Sequence, residues 1–308
     1  MRRRLDAVLL LDKPVGLGSN AALQAVKRLY RAEKAGHAGT LDPLASGLLP
    51  ILFGEATKFS HLVLDADKAY LARARLGVTT RTGDAEGEVL EKRPVRVSAT
   101  AVAHALVAFR GEIEQVPPMY SALKHRGRPL YVLARRGESI ERAPRRIRVH
   151  ELETLALEGD SLELRVLCSK GTYIRTLVED IGRALGCGAH LVSLRRIAAS
   201  GLHIGEAATL DAIQAADEAE RDRLLLPLER LLGNLPRLEL PEPLAGRFAR
   251  GQAIALARAS PGRYQVHRAS GGLLGVADAD ADGLLHPRRL LAARAEAAQA
   301  ADKHQKNL

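Results

Sequence analysis

Tryptophan is absent from this chain, and cysteine and methionine occur twice each. With six Tyr and four Phe as the whole aromatic complement, the core of a 308-residue chain has to be assembled mostly from Leu, Val, Ile and Ala. The two cysteines, Cys168 and Cys187, form neither a CxxC pair nor a Cys/His ligand spacing, so neither a disulfide framework nor a metal site is expected. Long apolar runs are also missing. Behind the basic start MRRRLDAVLLLDKP the apolar run extends only from Ala7 to Leu11, too short for a secretory signal core. No other run is long enough to span a bilayer, so the expected compartment is the cytosol, without a membrane partner.

Positive charge is in excess. Lys plus Arg number 46 against 36 Asp plus Glu, a net +10. That surplus suits a polyanionic partner, whose phosphates it would neutralise with release of counterions. A composition that simply favours Arg would give the same total, so the placement of the charge matters more than its sum.

Residues Ala7–Leu11 read as a short buried strand, broken by Asp12-Lys13-Pro14 and Gly16-Leu17-Gly18. Ser19 or Asn20 then caps a helix through Tyr30, with Ala22, Leu23, Val26 and Leu29 on one face. A Gly-, Thr- and Pro-rich loop is expected from Ala35 to Pro50. Ala69–Leu76 alternates as a strand, and Val78–Gly87 reads as a polar turn region. Helices are expected over Ala99–Phe109, Thr172–Leu185 and, capped by Thr209, Leu210–Leu225, with a further strand at Leu162–Leu167. Strands and helices do not alternate regularly, which argues against a doubly wound parallel sheet and for an α+β fold on a mixed, largely antiparallel sheet with flanking helices.

Near Leu232–Pro241 the texture changes to a proline-bearing linker or edge strand. Short strand-like pieces split by glycines follow at Ala253–Ala257, Arg263–Val266 and Leu273–Ala277, as in a small β-barrel. The expected organisation is a catalytic domain over 1–232, a small barrel over 233–292 and a disordered tail over 293–308.

Two segments invite a chemical reading. Gly16-Leu17-Gly18-Ser19-Asn20-Ala21 matches GxGxxA after a strand and before a helix, the pattern of a dinucleotide site. Against it, Asp12-Lys13-Pro14 separates strand from glycine, and no strand ending in an acid follows at the expected spacing. The second segment runs from Gly36 to Gly47 and carries Asp42 directly before Pro43. Pro43 keeps Asp42 extended, and the glycines permit close approach of a ligand. On residue types alone an Asp-Pro turn initiator is the more ordinary reading.

The run GHAGTLDPLASGLLPILFGEATKF resembles the signature of the TruB family of tRNA pseudouridine synthases. LLLDKPVGLGSN precedes it; DKAYLARARLG, QVPPMYSALKHRGRPLY, CSKGTYIRTLVEDIG and GCGAHLVSLRR follow in order, so the resemblance spans most of residues 8–200. It implies a pseudouridine-synthase-like fold with a PUA-like C-terminal module, no cofactor and no metal. It implies Asp42 as nucleophile, Tyr70 stacked on the target uracil and able to take a proton, and Arg175 paired with Asp42. Tyr173 and Leu194 would line the uracil pocket, His37 would brace the gap left by the extruded nucleotide, and Lys13 would shape the pocket near Asp42. The substrate it implies is the T-arm uridine of tRNA at position 55.

These residue types suit the chemistry. Pseudouridine forms when the N1–C1′ bond breaks, the uracil rotates and C5 takes the place of N1. That requires a nucleophile and a base for the C5 proton, with no redox step. The target must first be flipped out of a folded arm, at a cost of a few kcal/mol, of which stacking on an aromatic recovers roughly 1–3 kcal/mol.

Charge is concentrated in 124–148. Lys124, Arg126, Arg128, Arg135, Arg136, Arg142, Arg145, Arg146 and Arg148 stand there against only Glu138 and Glu141. Pairing at i,i+4 cannot neutralise so one-sided a stretch. It reads as an RNA-clamping insertion over about 124–150, with Lys124, Arg126, Arg128, Arg145, Arg146 and Arg148 on the RNA backbone. The expected protein is a monomer that isomerises a tRNA uridine. An RNA chaperone that needs no Asp42 chemistry, and a nicotinamide oxidoreductase using Gly16–Ala21, are the competing readings.

Overall fold

The computed structural model describes residues 1–256 and 259–291; the expected tail at 293–308, and Ala257 at the end of an expected strand, lie outside the described residues. The chain begins β1 (Ala7–Lys13), α1 (Ser19–Leu29), β2 (Ala35–His37), β3 (Ala45–Phe53), α2 (Ser60–Leu64) and β4 (Lys68–Leu76). A small hairpin of β5 (Val78–Thr80) and β6 (Val89–Lys92) leads to α3 (Ala99–Val107) and β7 (Gly111–Gln115). An excursion holding β8 (Lys124–His125), β9 (Arg128–Pro129) and α4 (Leu130–Ala134) precedes the long hairpin β10 (Arg145–Glu158) and β11 (Ser161–Cys168). Then come α5 (Ile174–Ala184), β12 (Ala189–Ala199), β13 (Leu202–His203), β14 (Ala208–Thr209), α6 (Leu210–Ala215), α7 (Glu218–Arg223) and β15 (Leu226–Pro227).

These strands make one eleven-stranded sheet, ordered β14-β1-β3-β12-β4-β11-β10-β7 with β2, β13 and β15 attached at its sides. Only the β1–β14 and β3–β12 contacts are parallel; the sheet is mixed and largely antiparallel. Alternation along β4 sends Tyr70, Ala72, Ala74 and Leu76 inward and leaves Leu71, Arg73 and Arg75 exposed. The inward set joins Leu9, Leu11 and Ile51 and the apolar faces of α1, α3 and α5 in the main core. A second core lies on the other face of β1 and β3, where Val8, Leu10, Leu48 and Leu52 meet Phe59, Val63 and Leu231. Burying each such Leu or Phe stabilises the fold by roughly 1.5–3 kcal/mol, and with so few aromatics the leucines supply most of it.

The remaining strands, β16 (Arg237–Leu240), β17 (Ile254–Ala255), β18 (Gly262–Arg268), β19 (Leu273–Ala279) and β20 (Leu284–Leu290), form a second sheet ordered β16-β18-β19-β20-β17. It curls as a half-barrel around Leu240, Val266, Ala277 and Leu285, closed by Phe248 of α8 (Glu242–Ala249). Leu273 and Val276 pack into the second core, and Lys58 donates to the Leu290 carbonyl, so the two sheets are joined by contact.

Two expectations need correction. The loop predicted from Ala35 to Pro50 is largely strand: Pro50 lies inside β3, opposite Leu10. Its carbonyl accepts from Ala38 N, so its ring nitrogen faces the same edge, in the interval between the end of β12 contact at Gly47 and the start of β2 contact at Ile51. Ala38 stands directly opposite, one step beyond the His37–Ile51 pair, so the return bond from residue 50 to Ala38 is missing; proline is tolerated because the pairing with β2 ends there. The helix predicted over Leu210–Leu225 is two helices. Asp217 interrupts it with a capping box, its side chain accepting from Glu220 N while the Glu220 carboxylate accepts from Asp217 N.

Candidate active site

The Asp42 segment is short, spanning 38–44 between β2 and β3, and is bonded to its surroundings at several points. Ala45 N donates to the Asp42 carbonyl and Gly16 N to the Pro43 carbonyl. Ser19 does not cap α1; Gly18 is the N-cap, and the buried Ser19 hydroxyl accepts from Leu41 N and donates to Leu41 O. The glycine turn is thereby committed to holding the Asp42 loop. Inside that turn the fully buried Lys13 ammonium donates to Pro14 O and Leu17 O. These contacts fill the turn in which a nicotinamide cofactor would place its pyrophosphate, and the long neighbour of β1, β3, is antiparallel where a dinucleotide fold has parallel strands.

Arg175, from the first turn of α5, is 6% exposed and reaches Asp42, whose side chain is 47% exposed. Its Nη2 lies 2.8 Å from Asp42 Oδ2 and donates to Tyr120 O at 2.7 Å. Its Nη1 lies 3.5 Å from Asp84 Oδ2 and donates to Thr82 O at 3.1 Å. One guanidinium thus bridges an open carboxylate and a buried one, since Asp84 is also 6% exposed. The base of the helix is fixed by Gln115, whose amide accepts from Tyr173 N and donates to Tyr173 O. Asp84 and Gln115 escaped the sequence reading. The signal for Asp84 was its place in the polar segment Val78–Gly87, which the reading treated as a turn.

Tyr70 and Leu194 share the inward face, since Leu194 pairs with Ala72 and Tyr70 with Arg196 across β4 and β12. Burial raises the pKa of the Tyr70 phenol, and the charges nearest it are Arg196, Cys168 and Asp42. Tyr173 sits beside Ser121, Arg145, Asp42 and Arg175, and burial likewise raises its phenol. His37 ends β2; burial first, and the Arg196 charge second, lower its pKa, and its Nδ1 is buried without a partner. Burial pulls Lys13 down to about 8, with Asp42 opposing the shift. Arg175 is thus paired with Asp42, whose charge also bears on Tyr70, Tyr173 and Lys13, while Leu194 shares the sheet face of Tyr70 and His37 feels Arg196.

The basic stretch divides. Lys124 and Arg128 lie on the hairpin of β8 and β9, with Arg126 at its turn in a left-handed conformation, φ 48°. Arg135 covers the Tyr131 ring at 5.6 Å. Arg145, Arg146 and Arg148, however, belong to β10 of the main sheet, so the excursion ends before them. Arg146 and Arg148 stand opposite Glu114 and Glu112 of β7, acids outside the window used to count charge. Arg145 stands opposite Gln115, on the Ile147 face and toward Tyr173. Among the described residues no group of three His, Cys, Asp or Glu is placed to hold a metal ion, and no helix is long and apolar enough to cross a membrane.

Three family descriptions match successive segments. TruB family pseudouridylate synthase (N terminal domain) matches residues 27–174, tRNA pseudouridylate synthase B C-terminal domain 175–233, and pseudouridine synthase II TruB, C-terminal 236–291. The chain is 53% identical to tRNA pseudouridine synthase B of Aromatoleum aromaticum, over 97% of this chain and 96% of that protein. It is 55% identical to tRNA pseudouridine synthase B of Burkholderia mallei, over 94% and 98% respectively. Among solved structures it resembles a chain of a Cbf5-Nop10-Gar1 complex, with TM-score 0.72 and 25% identity over 92% of this chain and 84% of that one. A chain of an H/ACA RNP bound to a substrate RNA containing 2′-deoxyuridine matches with TM-score 0.72 and 25% identity, over 94% and 86%.

Proposed function

Since the chain belongs to the TruB family of pseudouridylate synthases, we propose that it isomerises a uridine of tRNA to pseudouridine, at position 55 of the T-arm, with Asp42 as nucleophile. The observation that carries this reading is the half-exposed Asp42 carboxylate held by a buried Arg175. An aspartate that served only to start a turn would not need a buried guanidinium fixed by two carbonyls and a second acid.

In this reading the target nucleotide is flipped into the cleft, its uracil lying between Tyr70 and Leu194 with Tyr173 closing the side. Asp42 supplies the electron pair that lets the N1–C1′ bond break. The uracil departs with the N1–C1′ electron pair and rotates, C5 bonds to C1′, the bond made by Asp42 is broken again, the C5 proton passes to a base, the role given to Tyr70, and N1 takes up a proton. His37 braces the vacated position in the arm. Lys124, Arg126, Arg128 and Arg145 follow the phosphates, and the half-barrel extends the RNA surface. A tRNA-folding activity would rest on this binding surface and not on Asp42.

The test is Asp42→Asn with tRNA transcript carrying tritium at uridine C5. Retained affinity with no tritium release is expected, because the amide cannot act as the nucleophile. Release at the wild-type rate would remove Asp42 from the chemistry, and loss of affinity would make it a binding residue.

A further inference from the structure

Arg196 heads the largest fully buried side chains among the described residues, at 1% exposure. Buried arginines ordinarily sit against a carboxylate, because an unpaired charge out of water is costly. The acids of this region are held by other arginines: Asp42 and Asp84 by Arg175, Asp12 by Arg195. Arg196 instead donates Nε to Leu48 O at 2.8 Å and Nη2 to Gly39 O at 2.9 Å.

Those two carbonyls bracket the Asp42 loop. The loop has been fitted to this side chain and its backbone. A Cβ on Gly39 would stand 3.1 Å from Nη1, and one on Gly47 would stand 2.3 Å from the Arg196 carbonyl. Both glycines have positive φ, 92° and 101°. Across the strand pair Arg196 is the direct neighbour of Tyr70, so the two side chains share one face of the sheet and the Arg196 charge bears on the phenol. The same charge also bears on Lys13, Lys68 and His37.

We propose that Arg196 is a positioning residue for the isomerisation: its guanidinium ties both ends of the Asp42 loop and aims the Tyr70 hydroxyl, so that nucleophile and base keep a fixed separation. This rests on the reading of Asp42 and Tyr70 as the reacting pair. A residue needed only to fill space or satisfy two carbonyls would not have to carry charge next to the phenol. The titratable groups that bear on Tyr70 are Arg196 from β12, the Cys168 thiol from β11, which burial keeps protonated to about 11, and Asp42 from the loop. Of these Arg196 favours the phenolate, whereas Cys168 and Asp42 oppose it.

The experiment compares Arg196→Lys and Arg196→Gln in the full-length protein under single turnover with C5-tritiated tRNA. Both variants are expected to bind tRNA within about threefold of wild type, because Arg196 does not reach the surface. The rate should fall about tenfold in Arg196→Lys and on the order of a hundredfold in Arg196→Gln. The alkaline-rising limb of the rate should move to higher pH in Arg196→Gln but not in Arg196→Lys, because only the glutamine removes the charge. An Arg196→Gln rate within threefold of wild type overturns the proposal. So does a fall in rate and melting temperature with the pH profile unmoved, which would be a structural role alone. If Arg196→Gln does not fold, hydrogen exchange on RNA-free Arg196→Lys decides: faster exchange confined to peptides spanning 38–48 is expected, and wild-type protection there refutes it. Asp42→Asn run in parallel separates the two readings. An active Asp42→Asn defeats the nucleophile assignment, whereas an inactive one beside a fully active Arg196→Gln defeats only the role of Arg196.

Discussion

Replacing Asp84 by Asn tests the arrangement around Arg175 without touching any group that faces the RNA. The substitution keeps the shape of the side chain and leaves an oxygen for the Thr82 hydroxyl, but removes the charge 3.5 Å from Arg175 Nη1. At that distance and an effective dielectric of about 20, the gross attraction is about 5 kcal/mol. Both partners are 6% exposed, so solvent does little to replace it. Truncating one partner of a buried pair costs about 3–5 kcal/mol. Arg175 keeps Asp42 and two carbonyls, so the lower end of that range applies. A loss near 3 kcal/mol corresponds to a melting temperature lower by about 5 °C in a chain of 308 residues. Freed on one side, the guanidinium no longer holds Asp42 in a single position, and loss of about 2–3 kcal/mol of transition-state stabilisation slows the reaction roughly 30- to 150-fold. Single-turnover tritium release and differential scanning calorimetry read the two effects, and a binding assay should show tRNA affinity within twofold. Wild-type rate and melting temperature together would mean that Arg175 is held by the carbonyls alone, and the bridging role of Asp84 would be discarded.

Two further outcomes follow from the geometry. Burial raises Glu179 to about 7 from an ordinary 4.5, so the folded state binds the extra proton between those values; its stabilising share is complete below about 4.5 and is lost as pH rises through 7. The melting temperature of Glu179→Gln should therefore gain on wild type across pH 4.5–7, and parallel curves would contradict the shift. Arg145→Ala is expected to weaken tRNA binding and reduce the salt slope by roughly 0.7–0.9, whereas Arg146→Ala and Arg148→Ala, opposite Glu114 and Glu112, should change it less; equal slopes in all three would refute the division of the two faces.

The parts of the fold legible in the sequence were those set by local pattern. β1, α1, β4 and α5 follow from apolar spacing, and the structure has them within a few residues of the expected limits. What escaped is tertiary. Ser19 has the residue type of a cap, but Leu41, 22 positions away, offers its hydroxyl two bonds at once. Pro50 reads as a loop marker, yet it sits in β3 where pairing with β2 ends, accepting one bond from Ala38 and giving none back. Arg145, Arg146 and Arg148 look like one cluster in a window of sequence, yet pleating sends them to opposite faces and pairs two of them with acids from a distant strand. The site divides in the same way. Asp42 stands out by its glycine- and proline-rich surroundings, whereas Asp84, Gln115 and Arg196 are ordinary residues whose importance arises only from what they touch.

Four buried cations of the catalytic sheet are held in one manner, each giving its protons to two main-chain carbonyls. Lys13 binds Pro14 and Leu17, Lys68 binds Leu64 and Ala66, Arg175 binds Thr82 and Tyr120, and Arg196 binds Gly39 and Leu48. All four are buried. Hydrogen bonds from charged donors are worth about 1.5–3 kcal/mol each, enough to fix a loop but not to repay a buried charge in full. Burial draws the two lysines down to about 8, so they partly escape that cost by shedding a proton. Arginine cannot escape in this way, since its charge persists at every pH the protein meets. The two arginines are also the pair that touch the Asp42 loop, one at its carboxylate and the other at its ends. Permanent charge thus contacts the loop directly, whereas the titratable Lys13 braces the turn behind it. Under the proposed role of Asp42 as nucleophile, the carboxylate would gain from that arrangement, because neither guanidinium would have to reorganise or ionise on binding of a nucleotide.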